Sequence, residues 1–328
     1  MPSWLSWLLL HFGAAAALTW LARRYALHRS LLDQPGERRS HATATPRGGG
    51  ISIVIALLAG AAWLAWQFPA PRGLLGAFCG GLLLVAGIGW WDDHRPLSPW
   101  LRLVVQAVAA GALAGAFWQA GAGAVTSLTV FILTLSLTNV WNFMDGIDGL
   151  AASQAGIVAA ALACVLVAPW NWLAGGLAAA AAGFLPFNFP KARIFLGDVG
   201  SGALGYALAA LLAAGLGRAP SIDWLWLALP VCAFAVDAAF TLAWRILNGQ
   251  RWWTPHVEHA YQRWARRWGH ARVTLGYALF TLAACGAMWV ARYGQPALAI
   301  GMFIICYMLA TALWWGSRRF RDRAAPDS

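Results

Sequence analysis

The segment that decides the fold reads AGAVTSLTVFILTLSLTNVWNFMDGIDG from Ala122 to Gly149. Residues 122–141 carry no charged side chain and, as a helix, are long enough to cross about 30 Å of hydrocarbon. A backbone in hydrocarbon must satisfy its own hydrogen bonds, which a helix does. The segment therefore predicts a transmembrane helix that leads into a polar, acidic turn.

The rest of the chain has the same character. Of its 328 residues, 60% are apolar and 11% are charged, against roughly 25% charged in a soluble domain. We expect an all-α, polytopic membrane helix bundle that forms one membrane-embedded domain over residues 1–328. Eleven transmembrane spans are predicted, at 3–22, 50–68, 73–91, 101–119, 122–141, 150–169, 171–188, 200–217, 223–243, 272–292 and 295–315.

The basic residues give the predicted orientation. With alternating crossings, one side receives 20 of the 23 Lys and Arg residues, and the other receives only Arg72, Arg218 and Arg292. Because basic loops favour the cytoplasmic side, we expect the N-terminus outside and the C-terminus in the cytoplasm. This topology explains the net charge of +11 without nucleic acid as a partner, since no soluble basic domain is predicted.

Half of the twelve carboxylates lie in four short polar segments at or near the ends of these spans. A charged group near hydrocarbon is costly and is by default a functional hypothesis. The predicted topology places all four segments on the cytoplasmic side, although no carboxylate was used to derive it. We therefore expect one site at the inner membrane surface, built from residues 91–94 (WDDH), 142–149 (NFMDGIDG), 195–201 (FLGDVGS) and 255–259 (PHVEH).

Asp92 and Asp93 end the third predicted span. Adjacent side chains on a helix point about 100° apart, so the two carboxylates can serve different partners. One would meet substrate or metal while the other holds a basic side chain. The alternative is a charged helix end that faces water.

Asn139, Asn142, Asp145 and Asp148 recur every three residues where the fifth span leaves the membrane. Neighbours at this spacing share one helix face, so the series predicts a ladder of oxygen and amide groups. Asp148 has an equally good structural reading, as the cap of the helix that begins at Leu150.

Asp198 lies among small residues at a predicted helix start. Such a start offers free N–H groups to phosphate, and the carboxylate could anchor the cation that phosphate brings. A structural N-cap explains this segment nearly as well.

His256 and His259 would share one face of a helical turn. A zinc site would need a third protein ligand, so the pair suits phosphate oxygens better. The alternative is two polar residues at the membrane interface.

These segments, taken with Arg39-Ser40-His41 and Pro46–Gly50, resemble the polyprenyl-phosphate N-acetylhexosamine-1-phosphate transferase superfamily, glycosyltransferase family 4. The resemblance covers nearly the whole chain in order. It is nearest to bacterial undecaprenyl-phosphate sugar-1-phosphate transferases that start O-antigen or related surface polysaccharides. The phospho-N-acetylmuramoyl-pentapeptide transferase of peptidoglycan synthesis is similar too. That branch carries consecutive histidines in its last loop, whereas this chain does not, so it stands as the alternative.

The resemblance implies transfer of an N-acetylhexosamine 1-phosphate from a UDP-sugar to undecaprenyl phosphate, with release of UMP. It implies Mg²⁺ as cofactor, with Mn²⁺ as a substitute. The implied location is the bacterial inner membrane, among membrane lipids and with the active site on the cytoplasmic face. Association into a homodimer is left open.

The resemblance also assigns the reacting groups. Asp198 is the implied magnesium ligand and Asn142 the second protein contact. Asp92 or Asp93 would orient or deprotonate the attacking lipid phosphate. Direct attack is favoured because no nucleophile-activating pair is evident, but a covalent aspartyl intermediate stays open.

The remaining implied roles concern substrate binding. Asp145 and Asp148 would line the nucleotide and metal pocket, His256 and His259 would hold the pyrophosphate or sugar, and Arg47 would clamp phosphate.

The last loop departs from the family pattern, in which Arg commonly follows the first histidine. Here Val257 takes that place and Glu258 follows, so Arg251 or Arg263 would supply the missing charge. Asp237 is expected to give structural support near the site.

Two other classes of protein are alternatives to a transferase. A transporter or lipid flippase would need polar access from both sides, which acids on one side do not favour. A polyprenol-binding relative without activity would not need the intact acidic residues.

Overall fold

The computed structural model describes residues 2–34, 44–216, 224–251, 253–254 and 256–319. These ranges are almost entirely helical, with a single 3-10 turn at Leu229–Val231 and one short two-stranded sheet. The elements are α1 Trp4–His28, β1 Leu32–Asp33, β2 Thr45–Pro46, α2 Ile51–Gln67, α3 Arg72–His94, α4 Pro99–Gln119, α5 Ala124–Phe143, α6 Leu150–Val165, α7 Trp170–Asn188, α8 Asp198–Leu216, α9 Trp224–Leu227, α10 Cys232–Leu247, α11 Ala260–Trp268, α12 His270–Tyr293 and α13 Pro296–Arg319.

Eight helical segments in the described parts of the chain are long and apolar enough to cross a membrane. They are α1, α3, α4, α5, α8, the run Leu225–Leu247, α12 and α13. The helices α2 and α6 are apolar but shorter, at 17 and 16 residues. The all-α bundle is therefore confirmed, while the count of eleven spans and the orientation of the termini stay predictions.

Large apolar side chains cover the outside of the bundle. Leu9, Val125 and Leu279 expose 60%, 80% and 68% of their surface. In water such a surface would be costly, whereas acyl chains match it. The exposed apolar residues thus agree with a membrane setting.

The central helix of the bundle is α8, which is buried continuously from Val199 to Ala214. It packs mainly against α3 and α5. Small residues permit this approach, because a Cβ on Gly205 would lie 2.1 Å from the backbone oxygen of Leu137. Close packing through small residues is typical of membrane helices.

Three of the four polar segments, 91–94, 142–149 and 195–201, meet at the start of α8. Beside β2, the Phe195 N–H donates to the Pro46 oxygen at 2.8 Å and the Gly49 N–H donates to the Phe195 oxygen at 2.9 Å. Gly197 has φ +75°, and a Cβ there would lie 2.6 Å from Oδ2 of Asp93. Only glycine fits this junction, where α3, α8 and residues 47–50, called the glycine-rich turn below, come together.

Candidate active site

One open cavity of about 680 Å³, with many polar side chains on its walls, lies where the acidic segments converge. Its walls come from the glycine-rich turn, the α3–α4 connection, the C-terminal end of α5 and the loop 256–259 before α11, called the histidine loop below. The polar residues on its walls are Arg47, Asp92, Arg102, Gln106, Asn139, Asn142, Asp145, Thr254, His256, His259, Tyr261 and Gln262. Segments 91–94, 142–149 and 255–259 thus contribute side chains to this cavity, while Asp198 of segment 195–201 does not line it and is linked to it through Arg102 and Asn142.

Asp92 and Asp198 face the same cation. Nη1 of Arg102 donates to Oδ2 of Asp92 at 2.9 Å and to Oδ2 of Asp198 at 2.7 Å. The other oxygen of Asp92 accepts the Leu97 N–H at 2.6 Å. Three helices, α3, α4 and α8, thus each place one charged group at this cluster.

Arg102 was missed as a site residue, because its charge was counted only toward topology. Its position in the first turn of α4, nine residues after Asp93, was the signal available in the sequence.

Asp93 has a different role from its neighbour. Its side chain is 3% exposed, and its two oxygens accept the backbone N–H groups of Asp198 and Val199, each at 3.1 Å. A carboxylate in this position caps the start of α8 and suits the positive end of the helix dipole. Asp93 is absent from the walls of the large cavity, so its assignment as a reacting group gains no support from its placement.

Asn142 fixes the orientation of Asp198. Its amide nitrogen donates to Oδ1 of Asp198 at 2.9 Å and contacts Oγ of Ser201 at 3.0 Å. Asp198 therefore has one oxygen held by an amide and the other by Arg102. Whether Asn142 also contacts a metal stays a prediction.

Asp145 lies on the cavity wall in the turn after α5. Burial, followed by repulsion from Asp198 and Asp93, raises the pKa of this carboxyl well above its ordinary value. Both causes oppose the ionised form of Asp145, and a bound cation would offset the repulsion from the neighbouring carboxylates.

Asp148 does not line this cavity. Its Oδ2 lies 3.2 Å from Nδ1 of His270, and its backbone oxygen accepts the Thr274 hydroxyl at 2.7 Å. The start of α6 is formed by Gly149, at φ +74°, without a side-chain cap. Neither the pocket role nor the capping role expected for Asp148 is seen, because its side chain instead connects this turn to α12.

His256 and His259 are adjacent, but in a loop rather than on a helical turn. Their rings stack with centroids 4.9 Å apart, and α11 begins only after His259. Burial, followed by the nearby positive charges of His259, Arg245 and Arg318, lowers the pKa of His256 to about 3. His256 is thus a neutral ring near pH 7. Its Nδ1 lies 3.4 Å from the Glu258 backbone nitrogen, which leaves Nε2 to carry the proton.

Asp237 holds the histidine loop and the start of α11 in place. Its carboxylate accepts the N–H groups of Ala260 and Tyr261 at 2.8 and 3.0 Å, and Nδ1 of His259 lies 3.4 Å away. The Tyr261 hydroxyl in turn donates to the Phe143 oxygen at 3.0 Å, which ties α11 to the end of α5. The expected structural role of Asp237 takes the form of a helix cap contributed by another helix.

Glu258 has a role that the motif comparison did not give it. It pairs with the buried Arg245 through Oε1, and Oε2 lies 3.6 Å from Nη1 of Arg318. Breaking a buried ion pair leaves an uncompensated charge, so this contact anchors the histidine loop to α10 and α13.

Arg47 lies at the junction of two cavities. It lines the large polar cavity and a smaller one of about 190 Å³ between α1, α2 and α3. Its charge also acts on Asp92 and Asp93. Arg39-Ser40-His41, Trp252 and Pro255 lie outside the described residues.

The donor set fits a magnesium ion that is completed by substrate. Among the residues that the structure describes, no group of three or more His, Cys, Asp or Glu side chains could hold a metal alone. Mg²⁺ usually takes one or two carboxylates and fills its shell with water and substrate phosphates. Asp92 and Asp198 offer that pair, and a guanidinium cation already lies between them.

Comparisons with known proteins show the family of the chain. A sequence profile described as glycosyl transferase family 4 matches residues 75–215, which contain Asp92, Asn142 and Asp198. A Bacillus subtilis protein named "probable undecaprenyl-phosphate N-acetylglucosaminyl 1-phosphate transferase" is 30% identical over 75% of this chain and 73% of its own.

Two further relatives differ in their named substrates. The decaprenyl-phosphate N-acetylglucosaminephosphotransferase of Mycobacterium tuberculosis is 35% identical over 60% of this chain. The match spans 57% of that relative, so this chain covers little more than half of its length. A phospho-N-acetylmuramoyl-pentapeptide-transferase of a Synechococcus species is 33% identical over 62% of this chain and 64% of its own.

Proposed function

The chain belongs to glycosyl transferase family 4, and from this membership we propose that it transfers an N-acetylhexosamine 1-phosphate from a UDP-sugar to undecaprenyl phosphate. UMP is the second product, and the lipid-linked pyrophosphoryl sugar starts a cell-surface polysaccharide such as O-antigen. One substrate is a lipid and the other a soluble anion, so they meet at a membrane surface. We place this surface on the cytoplasmic side of the bacterial inner membrane.

The observation that carries the proposal is the cluster of Asp92, Arg102 and Asp198, of which Asp92 and Arg102 line the large cavity at one end of the bundle. Phosphoryl transfer needs little covalent chemistry from a protein and depends on positioning and charge compensation. The cluster supplies both, since two carboxylates and one guanidinium are held by three separate helices. A transporter site does not require this arrangement.

Each residue then has a defined task. Arg47 attracts the phosphate of the lipid acceptor, and Asp92 beside it orients that phosphate for in-line attack. Asn142 holds Asp198 in the orientation in which its carboxylate would bind Mg²⁺. Bound Mg²⁺ would neutralise charge on the leaving UMP. We favour direct attack over an aspartyl intermediate because both carboxylates are already committed to cations or amide groups.

The donor side lies toward the histidine loop. His256 is neutral, so it binds the pyrophosphate or sugar through the Nε2 proton rather than through a full positive charge. Asp145 lies on the wall of the same cavity, and we assign it to the pocket for the nucleotide and the metal.

The experiment uses the purified protein with undecaprenyl phosphate, Mg²⁺ and a panel of UDP-sugars, with UMP release as the readout. UMP should appear with at least one UDP-N-acetylhexosamine and only when the lipid phosphate is present. Failure with every donor would refute the proposed reaction, while UMP release without lipid would indicate hydrolysis instead of transfer.

The second candidate is transfer of phospho-N-acetylmuramoyl-pentapeptide, which the Synechococcus relative supports. The two donors differ by a large peptide, so the same panel separates them when UDP-N-acetylmuramoyl-pentapeptide is included. We expect no UMP release with this donor, because the last loop of this chain lacks consecutive histidines.

A further inference from the structure

Arg102 lies where a divalent cation would bind. A single nitrogen, Nη1, lies 2.9 Å from Oδ2 of Asp92 and 2.7 Å from Oδ2 of Asp198. Mg²⁺ would need the same oxygens at about 2.0–2.1 Å. The guanidinium nitrogen and the metal therefore cannot both lie between the two carboxylates.

We propose that Arg102 is an internal counter-ion that holds the Asp92–Asp198 pair in the metal-free protein and leaves it when the divalent cation binds. The released guanidinium then pairs with the diphosphate of the nucleotide donor in the same cavity. This inference rests on the proposed function for the identity of the metal and of the diphosphate.

The surroundings of Arg102 allow this exchange. Its side chain is 28% exposed and lines the large cavity, so the guanidinium can turn toward a ligand there without unpacking the core. Arginine suits both partners, because its planar fork matches carboxylate and phosphate oxygens alike.

The exchange also has an electrostatic logic. Without any cation, Asp92 and Asp198 would face each other across a short gap, close to Asp145, whose pKa is already raised by burial and repulsion. Arg102 supplies the missing charge until the metal replaces it. The Asp92–Asp198 pair thus keeps its arrangement both in the metal-free protein, where Arg102 holds it, and when the metal is bound.

The test measures Mn²⁺ binding, by the electron paramagnetic resonance of free Mn²⁺, to purified protein without lipid or nucleotide. Arg102→Gln removes the competitor and should tighten Mn²⁺ binding about tenfold or more, because hydrogen bonds to two charged groups no longer have to be broken. Unchanged or weaker binding would overturn the proposal.

Two control variants separate competition from a general charge effect. Arg47→Gln removes another positive charge near the same carboxylates, and Arg95→Gln removes an exposed one from the α3–α4 connection. Both should change Mn²⁺ affinity by no more than about twofold to threefold. A tightening in Arg47→Gln as large as in Arg102→Gln would contradict the specific role of Arg102.

A second arm adds UDP as the probe for the diphosphate. In the natural protein, UDP should strengthen Mn²⁺ binding, partly because it pairs with Arg102 and removes it from the two carboxylates. In Arg102→Gln, the factor by which UDP strengthens Mn²⁺ binding should therefore be about tenfold smaller. An equal gain in both proteins would overturn the transfer of Arg102 to the diphosphate. Should Arg102→Gln fail to fold, Arg102→Lys gives a weaker competitor and must still tighten Mn²⁺ binding.

These measurements need no turnover. A protein that passes them but releases no UMP would refute the proposed function and leave the exchange standing. A protein that releases UMP while Arg102→Gln leaves Mn²⁺ affinity unchanged would refute the exchange alone.

Discussion

The carboxylate of Asp93 accepts the backbone N–H of Asp198 at 3.1 Å, so one acidic motif fixes the start of the helix that carries the other. Asp92, the next residue along the chain, reaches the side chain of Asp198 through Arg102. Asp93 thus holds the backbone at the start of α8, whereas Asp92 faces the cavity.

This division predicts different effects for the two asparagine variants. Asp93→Asn should lower the free energy of unfolding by about 1 kcal/mol, because it weakens a helix cap. Asp92→Asn should leave stability nearly unchanged and reduce UMP release at least about a hundredfold. Thermal unfolding in detergent and the UMP assay check both. The reverse pattern would show that Asp93 is the reacting group.

The pairing of Asp148 with His270 predicts energetic coupling between the α5–α6 turn and α12. Asp148→Asn and His270→Gln should each destabilise the protein, and the double variant should lose about 1 kcal/mol less than the sum. Unfolding measured for the four proteins gives this coupling. Strict additivity would mean that the contact contributes nothing to stability.

Asp145 predicts how stability depends on pH in the absence of metal. Its pKa is raised by burial, then by repulsion from Asp198 and Asp93, so the folded protein holds this proton above the ordinary value of 3.8. The stabilising contribution is full below that value and is lost as pH rises through the raised pKa. Asp145→Asn should flatten this fall, as measured by melting temperature against pH. An unchanged pH profile would contradict the raised pKa.

The predicted topology can be tested at the two ends of α4. Ser98 and Ala120 flank this helix and are both exposed, so in a background without native cysteines Ser98→Cys and Ala120→Cys form a matched pair. In intact cells an impermeant thiol reagent should label Ala120→Cys and not Ser98→Cys, because the acidic end is predicted to face the cytoplasm. Labelling of Ser98→Cys would place the site outside.

Much of this site was predictable from local patterns. Span length and the distribution of arginine brought Asp92, Asn142 and Asp198 to one end of the bundle, since each follows or precedes an apolar stretch of fixed length. The side chains themselves then converge, as Asn142 donates to Asp198 at 2.9 Å.

The rest depended on contacts between distant residues. Asp237 caps α11 and Glu258 meets Arg318, and neither contact leaves a periodic signal in the sequence. Arg102 could not be separated by composition alone from the other arginines predicted to lie on the cytoplasmic side. The stacked rings of His256 and His259 were predicted to be adjacent, but for the wrong reason, because the loop rather than a helix brings them together.

The central claim is that Asp198, which is bonded to the cavity residues Arg102 and Asn142, serves a sugar-phosphate transfer to a lipid. The most direct measurement is UMP release by purified protein with undecaprenyl phosphate, Mg²⁺ and the preferred UDP-sugar, comparing the natural protein with Asp198→Asn at equal thermal stability. We expect lipid-dependent release that falls at least about a hundredfold in Asp198→Asn, since metal binding and charge compensation are lost together. Release that is unaffected by Asp198→Asn would contradict the account.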